Sequence, residues 1–231
     1  MKRLQLPVAA AQGMWMRSTI KMAPPTAGPT GGTACPPLRI AVLGESTAAG
    51  CGAGRPDDAI TGCLARDINA RTQWPVHWQE IGQFGATARR IRYWLLPQLA
   101  EDLHVAVLLA GGSDVMSRRS PDHWRDNLSV IVDGLTGRAD HVVVARIPPF
   151  ALFSSVPATL GRYLSERAAA LDDISRQICA VRPCTSRVTI TEVPPPHFFA
   201  STVSTCLPPA TSDGPRSSRT TSRSEHTGWQ T

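Results

Sequence analysis

The chain lacks most patterns that would settle a function at a glance. Its six cysteines, Cys35, Cys51, Cys63, Cys179, Cys184 and Cys206, form no CxxC pair and keep no regular spacing. That argues against a zinc centre and against a disulfide scaffold in a chain of 231 residues. Aromatics make up only 6%, too few for a stacking platform for nucleic acid. No phosphate-cradling GxGxxG or GxxxxGK pattern occurs, so a flavodoxin-like nucleotide binder has little support. No apolar run is long enough for a transmembrane helix.

The first acidic residue is Glu45, after Lys2, Arg3, Arg17, Lys21 and Arg39. The formal charge of +6 is therefore a property of the amino-terminal segment, and the body is nearly balanced. A basic groove for nucleic acid is not expected. The start, Met1-Lys-Arg followed by Leu4 to Ala11, imitates a signal peptide, but Gln5 and Pro7 interrupt its short apolar stretch. Export stays open on that ground, with the cytoplasm favoured.

Residues 1–37 read as a basic, Pro/Gly-rich segment and linker, with the fold beginning near Leu38. Five apolar strand candidates follow: Arg39 to Leu43, Val76 to Ile81, Val105 to Ala110, His141 to Ile147 and Arg187 to Val193. Between them Gly62 to Arg71, Thr87 to Leu99, Pro121 to Leu135 and Ala158 to Val181 carry apolar residues at helical spacing. Alternating strand and helix predicts a parallel sheet with right-handed crossovers, an α/β/α sandwich of flavodoxin-like type with five parallel strands. One domain over residues 38–201 accounts for all of it.

Chemistry concentrates where strands end. The run Arg39-Ile-Ala-Val-Leu-Gly44-Glu-Ser46 delivers a serine beyond the first strand, Gly82-Gln-Phe-Gly85-Ala-Thr87 follows the second, and Gly111-Gly-Ser113-Asp114 follows the third. Taken singly each has a bland reading: a turn for Gly-x-Ser, a loop and helix cap for Gly85 and Thr87, a solvated loop residue for Asp114. In this order the set resembles the SGNH, or GDSL, hydrolases, from Leu38 to about Ser201, with Trp124 and the Ile147-Pro-Pro-Phe150 loop included. The resemblance implies a serine esterase or lipase-like acyl hydrolase acting on a small-molecule ester without metal or cofactor. It makes Ser46 the nucleophile and an oxyanion amide, Gly85 a second oxyanion amide, and places Ser113 at the position of the oxyanion asparagine. Two departures stand out: Glu45 replaces an aspartate, and Ser113 is shorter than the asparagine it replaces.

A serine needs a histidine to take its proton, and a carboxylate to orient that histidine. The family carries both in an Asp-x-x-His block after the last strand, and no such block is present. Where the resemblance leads to Asp-Gly-Phe-His stands Thr202-Val-Ser-Thr205. The codons GAC GGT TTC CAC, deprived of their leading G, read ACG GTT TCC AC, which is Thr-Val-Ser-Thr. The same correction turns Cys206 to Thr211 into Leu/Val/Met, Pro/Ser, two small residues and sets that include Gly and Tyr, and Gly214-Pro215 then permit Trp-Ala. Residues 202–231 thus read as a frameshifted translation of the catalytic block and a closing helix. As written, their Ser, Thr and Arg cannot bury enough surface to offset ordering entropy.

No other histidine is an obvious base. His104 precedes the third strand, at the wrong end of the sheet; His197 and His226 lie in or beside the altered tail; His77, His123 and His141 read as strand or helix-face residues. An impaired hydrolase is the leading expectation, and a noncatalytic ligand-binding protein on the same fold is the alternative.

Overall fold

The computed structural model describes residues 28–30, 36–51, 53, 58–153 and 156–188. The readings of Cys35, Cys206, His197, His226 and the segment 202–231 lie outside them. Six strands form one sheet: β1 (Gly28–Thr30), β2 (Leu38–Gly44), β3 (Val76–Gly82), β4 (Leu103–Leu109), β5 (Ala139–Ala145) and β6 (Thr185–Val188). Their spatial order is β1-β3-β2-β4-β5-β6. The last five are mutually parallel, and β1 adds an antiparallel edge to β3. The expected five-stranded parallel sheet of flavodoxin-like order is therefore present. The addition is β1, three residues inside a stretch whose sequence has no strand periodicity.

The helices are α1 (Ile60–Thr72), α2 (Ala88–Arg90), α3 (Gly112–Met116), α4 (Pro121–Thr136) and α5 (Ala158–Ala180). Beyond Arg90, α2 continues as a π turn over Ile91–Leu95 and a 3₁₀ turn over Leu96–Gln98. Pro97 has no N–H to continue the α-helical ladder, which is a local reason for the change of winding. α4 begins with Pro121 in its first turn, after Ser120, whose hydroxyl accepts the His123 amide at 3.2 Å. Among the described residues no helix is long and apolar enough to cross a membrane.

The two faces of the sheet differ. Register places Ala41, Leu43, Ile81, Ala106, Leu108, Val142 and Val144 on one face, where they join the main core with α2, α4 and α5. The other face carries Ile40, Val76 and Trp78, which pack with Ala65 of α1 in a smaller core. β2 lies at the centre and is buried from Ile40 to Gly44. Its neighbours are β3 and β4, so its carboxyl end opens at the point where strand order reverses, the usual position for a ligand crevice in such sheets.

Candidate active site

Gly44 ends β2 because nothing larger fits. A Cβ there would stand 2.1 Å from the carbonyl oxygen of Leu109. The chain then turns: the Glu45 amide donates to Leu109 O at 2.9 Å, and the Ser46 carbonyl accepts the amides of Ala49 at 3.1 Å and Cys51 at 3.0 Å. Ser46 keeps partial exposure in this turn, while Ala48, Ala49, Gly50 and Cys51 behind it are buried. β3 presses on the same turn from the side, since a Cβ on Gly82 would meet Ala49 N at 2.2 Å.

The three strand-end segments are tied to one another by hydrogen bonds in a closed circuit. Glu45 links the first to the third: its Oε1 accepts the Gly112 amide and its Oε2 the Ser113 amide, each at 2.7 Å. Asp114 links the third to the second: its Oδ2 accepts the Ala88 amide, at the start of α2, at 2.8 Å. The second returns to the first where the Gln83 amide donates to Gly44 O at 3.2 Å. Gly85 sits in this second segment with φ +70°, a left-handed conformation that favours glycine, and space for a Cβ is open around it.

Asp114 is fully buried and Glu45 partly so. Asp114 has no exposed surface, which overturns its bland reading as a loop residue in water. Burial pushes its carboxyl up to about 7, the Ala88 amide works against that, and nearby Glu45 adds to it. Glu45 is likewise raised by burial, opposed by hydrogen bonds from the Ser113 side chain and from the Ser113 and Gly112 amides. Ser113 itself is buried, and the Glu45 carboxylate reaches both amides.

The third segment is held from outside as well. Gly111 has φ +116°, and a Cβ there would meet Ile147 Cδ1 at 2.4 Å and Trp124 at 3.2 Å. Trp124 is buried, and its indole N–H donates to Leu171 O at 3.0 Å and Ser175 Oγ at 3.1 Å. Ile147 is fixed in turn by its amide, which donates to Asp172 Oδ1 at 3.1 Å. Asp172 also pairs with Arg146 at 3.1 Å and Arg187 at 2.7 Å, joining the ends of β5 and β6 to α5.

Strand end, tight turn, partly exposed serine and two linked glycine-containing loops make a scaffold suited to acyl transfer. The sequence model of the GDSL-like Lipase/Acylhydrolase family matches residues 42–185, which span all of these elements. The chain belongs to this family. Among solved structures it is similar to AlinE4, an SGNH-hydrolase family esterase, at 20% identity and TM-score 0.50, over 64% of this chain and 74% of that one. TesA follows at 18% identity and TM-score 0.50, over 62% and 73%. The extracellular lipase of Streptomyces rimosus aligns with TM-score 0.51 at 14% identity, over 65% and 80%. At these identities the likeness is one of fold. A search of curated proteins gives no match.

None of the hydrogen bonds of the described histidines goes to Ser46. His104 Nδ1 accepts the Arg39 amide at 3.0 Å near the start of β4, a structural role at the amino end of the sheet. His141 lies near the start of β5, with Nε2 2.9 Å from Ser186 Oγ. His77 is exposed on β3, and the His123 ring sits on the first turn of α4 with Nδ1 buried and unpartnered. Among the described residues no group of His, Cys, Asp and Glu is placed to hold a metal. Cys51 and Cys179 are buried free thiols, Cys63 is partly buried and Cys184 exposed.

Proposed function

We propose that this GDSL-family chain is a serine ester hydrolase whose nucleophile is Ser46 and whose catalytic aspartate and histidine were lost in a one-base deletion before codon 202. Carbonyl attack by the Ser46 hydroxyl forms an acyl-enzyme and releases the alcohol; water then attacks the acyl carbon and releases the acid. The amides of Ser46 and Gly85 donate to the oxyanion in both halves. Each such donor is worth about 3–4 kcal/mol when removed singly. Ser113 contributes less to that hole than an asparagine would, because its side chain is shorter.

The observation that carries this reading is the hydrogen-bonded circuit of the three strand-end segments, which fixes the Ser46 turn and the Gly85 loop against each other. A fixed hole needs no rearrangement as charge develops, so residual acceleration survives without a base. p-Nitrophenyl acetate is therefore expected to turn over feebly with the chain as written. Turnover is expected to rise by several orders of magnitude when a G restores Asp-Gly-Phe-His, and to fall back with Ser46→Ala in that restored protein. Equal rates with and without the restored block, or a restored protein indifferent to Ser46→Ala, would overturn the reading. Undiminished ligand binding with no ester cleavage in either form would favour a binding protein instead.

A further inference from the structure

The outward face of the α2 segment carries side chains that its packing does not use. Between Ala88 and Gln98 the inward residues are Ala88, Ile91, Leu95 and Leu96, all buried in the main core. The outward ones fall in adjacent pairs four apart: Arg89 and Arg90, Tyr93 and Trp94, Pro97 and Gln98, all exposed. A straight α-helix would rotate a four-residue repeat by about 40° at each step. The wider π winding over Ile91–Leu95 offsets that drift and keeps the pairs on one face. Trp94 is 68% exposed and Tyr93 55%, whereas Trp78 and Trp124 are at most 6% exposed. Large aromatic side chains gain most by burial, so a neighbouring pair held in solvent points to a partner.

Charge on this face has one sign. From Ile81 to Ala100 the chain has three arginines, Arg89, Arg90 and Arg92, and no lysine, aspartate or glutamate. Among the described residues none of the three forms an ion pair. Arg92 instead lies over the Tyr93 ring, 4.7 Å from its centroid. Arg90 reaches back, its Nε donating to Gln83 Oε1 at 2.6 Å. That bond joins the face to the loop that carries Gly85 and the partly buried Phe84.

Aromatic rings with a polar edge, beside arginines that form no ion pair, suit a boundary wet on one side and apolar on the other. The surface of a bilayer with anionic headgroups is such a boundary: arginines meet phosphate, and a tryptophan enters the interface. Nucleic acid fits less well, because single strands are stacked within positively charged grooves and this is the outward ridge of one helix. A second copy fits less well too, since a two-fold contact through this face sets the arginines against their own counterparts.

We infer that the face of α2 formed by Arg89, Arg90, Arg92, Tyr93 and Trp94 docks the protein on membranes rich in anionic phospholipid. The docking goes beyond the ester-hydrolase reading and holds whether or not Ser46 cleaves esters. The full written chain is sedimented with vesicles of phosphatidylcholine alone and of phosphatidylcholine mixed with phosphatidylglycerol in equal parts. Binding to the mixed vesicles is expected, weakening as salt rises, with little binding to phosphatidylcholine alone. Trp94→Ala is expected to weaken it about tenfold and Arg89→Gln about fivefold, with circular dichroism unchanged because both side chains are exposed. Trp94→Phe is expected to keep most of the binding. If Trp94→Ala perturbs the fold, Arg89→Gln alone decides. The basic amino-terminal segment is a rival, so a companion variant changes Lys2, Arg3, Arg17 and Lys21 to glutamine. Binding that withstands both α2 substitutions and fails in the companion overturns the face, as does the absence of binding to mixed vesicles. A single-stranded oligonucleotide bound where vesicles are not would overturn it in favour of nucleic acid. A dimer seen by light scattering and dispersed by Trp94→Ala, with vesicles unbound, would make a second copy the partner.

Discussion

Asp114 is the residue that ties the second strand-end segment to the third, and nothing in its sequence context marks it as more than the residue after Ser113. Its role follows from a contact with Ala88, distant in sequence, that only the sheet order creates. Because its folded pKa of about 7 lies above the ordinary 3.8, the folded state holds a proton that the unfolded state releases. That contribution is complete below pH about 4 and is lost as pH rises through about 7. Asp114→Asn removes the titration and keeps an acceptor for Ala88. Its melting temperature relative to the parent is therefore expected to rise between pH 5 and pH 8, followed by calorimetry; a pH-independent difference would contradict the assignment. Glu45 acts by similar means, since Glu45→Ala strips acceptors from two amides at the start of α3. A loss of about 2–4 kcal/mol in urea unfolding is expected, with Glu45→Asp recovering part of it. The strand-end positions of Ser46, Gly85 and Ser113 were readable from order along the chain, whereas the bonds from the Gly112 and Ser113 amides to Glu45 required the fold.

At the scale of elements, the strands and long helices were legible because parallel strands buried on both faces read as continuous apolar runs, and α4 announces itself with Ser120-Pro121. β1 was not, because a three-residue edge strand takes its stability from backbone pairing with β3 and carries no side-chain pattern. α3 was hidden for a related reason: five residues starting after a left-handed Gly111 are too few for periodicity. What couples elements near the site is close backbone approach. Gly82→Ala would place a methyl 2.2 Å from Ala49 N, behind the Ser46 turn. The turn must shift, so the frame-restored Gly82→Ala protein is expected to lose turnover by about a hundredfold or more while retaining the fold. Circular dichroism and p-nitrophenyl acetate kinetics on the same sample separate the two; full activity would show that the turn tolerates displacement.

For the whole molecule, most of the described core lies on one side of the sheet, with a smaller cluster on the other. Among the described residues the main core, including Trp124, Leu128, Ile131 and Leu171, lies on the α4–α5 side. Composition says that residues 202–231 as written bring almost no apolar surface with which to add to it. Stability should then be insensitive to their removal. A chain ending at Ser201 is expected to melt within about 2 °C of the full written chain, while the same truncation of the frame-restored protein costs several degrees. Scanning calorimetry on the four proteins makes the comparison direct. A written tail that stabilises as much as a restored one would mean that its Ser, Thr and Arg residues find partners on the sheet.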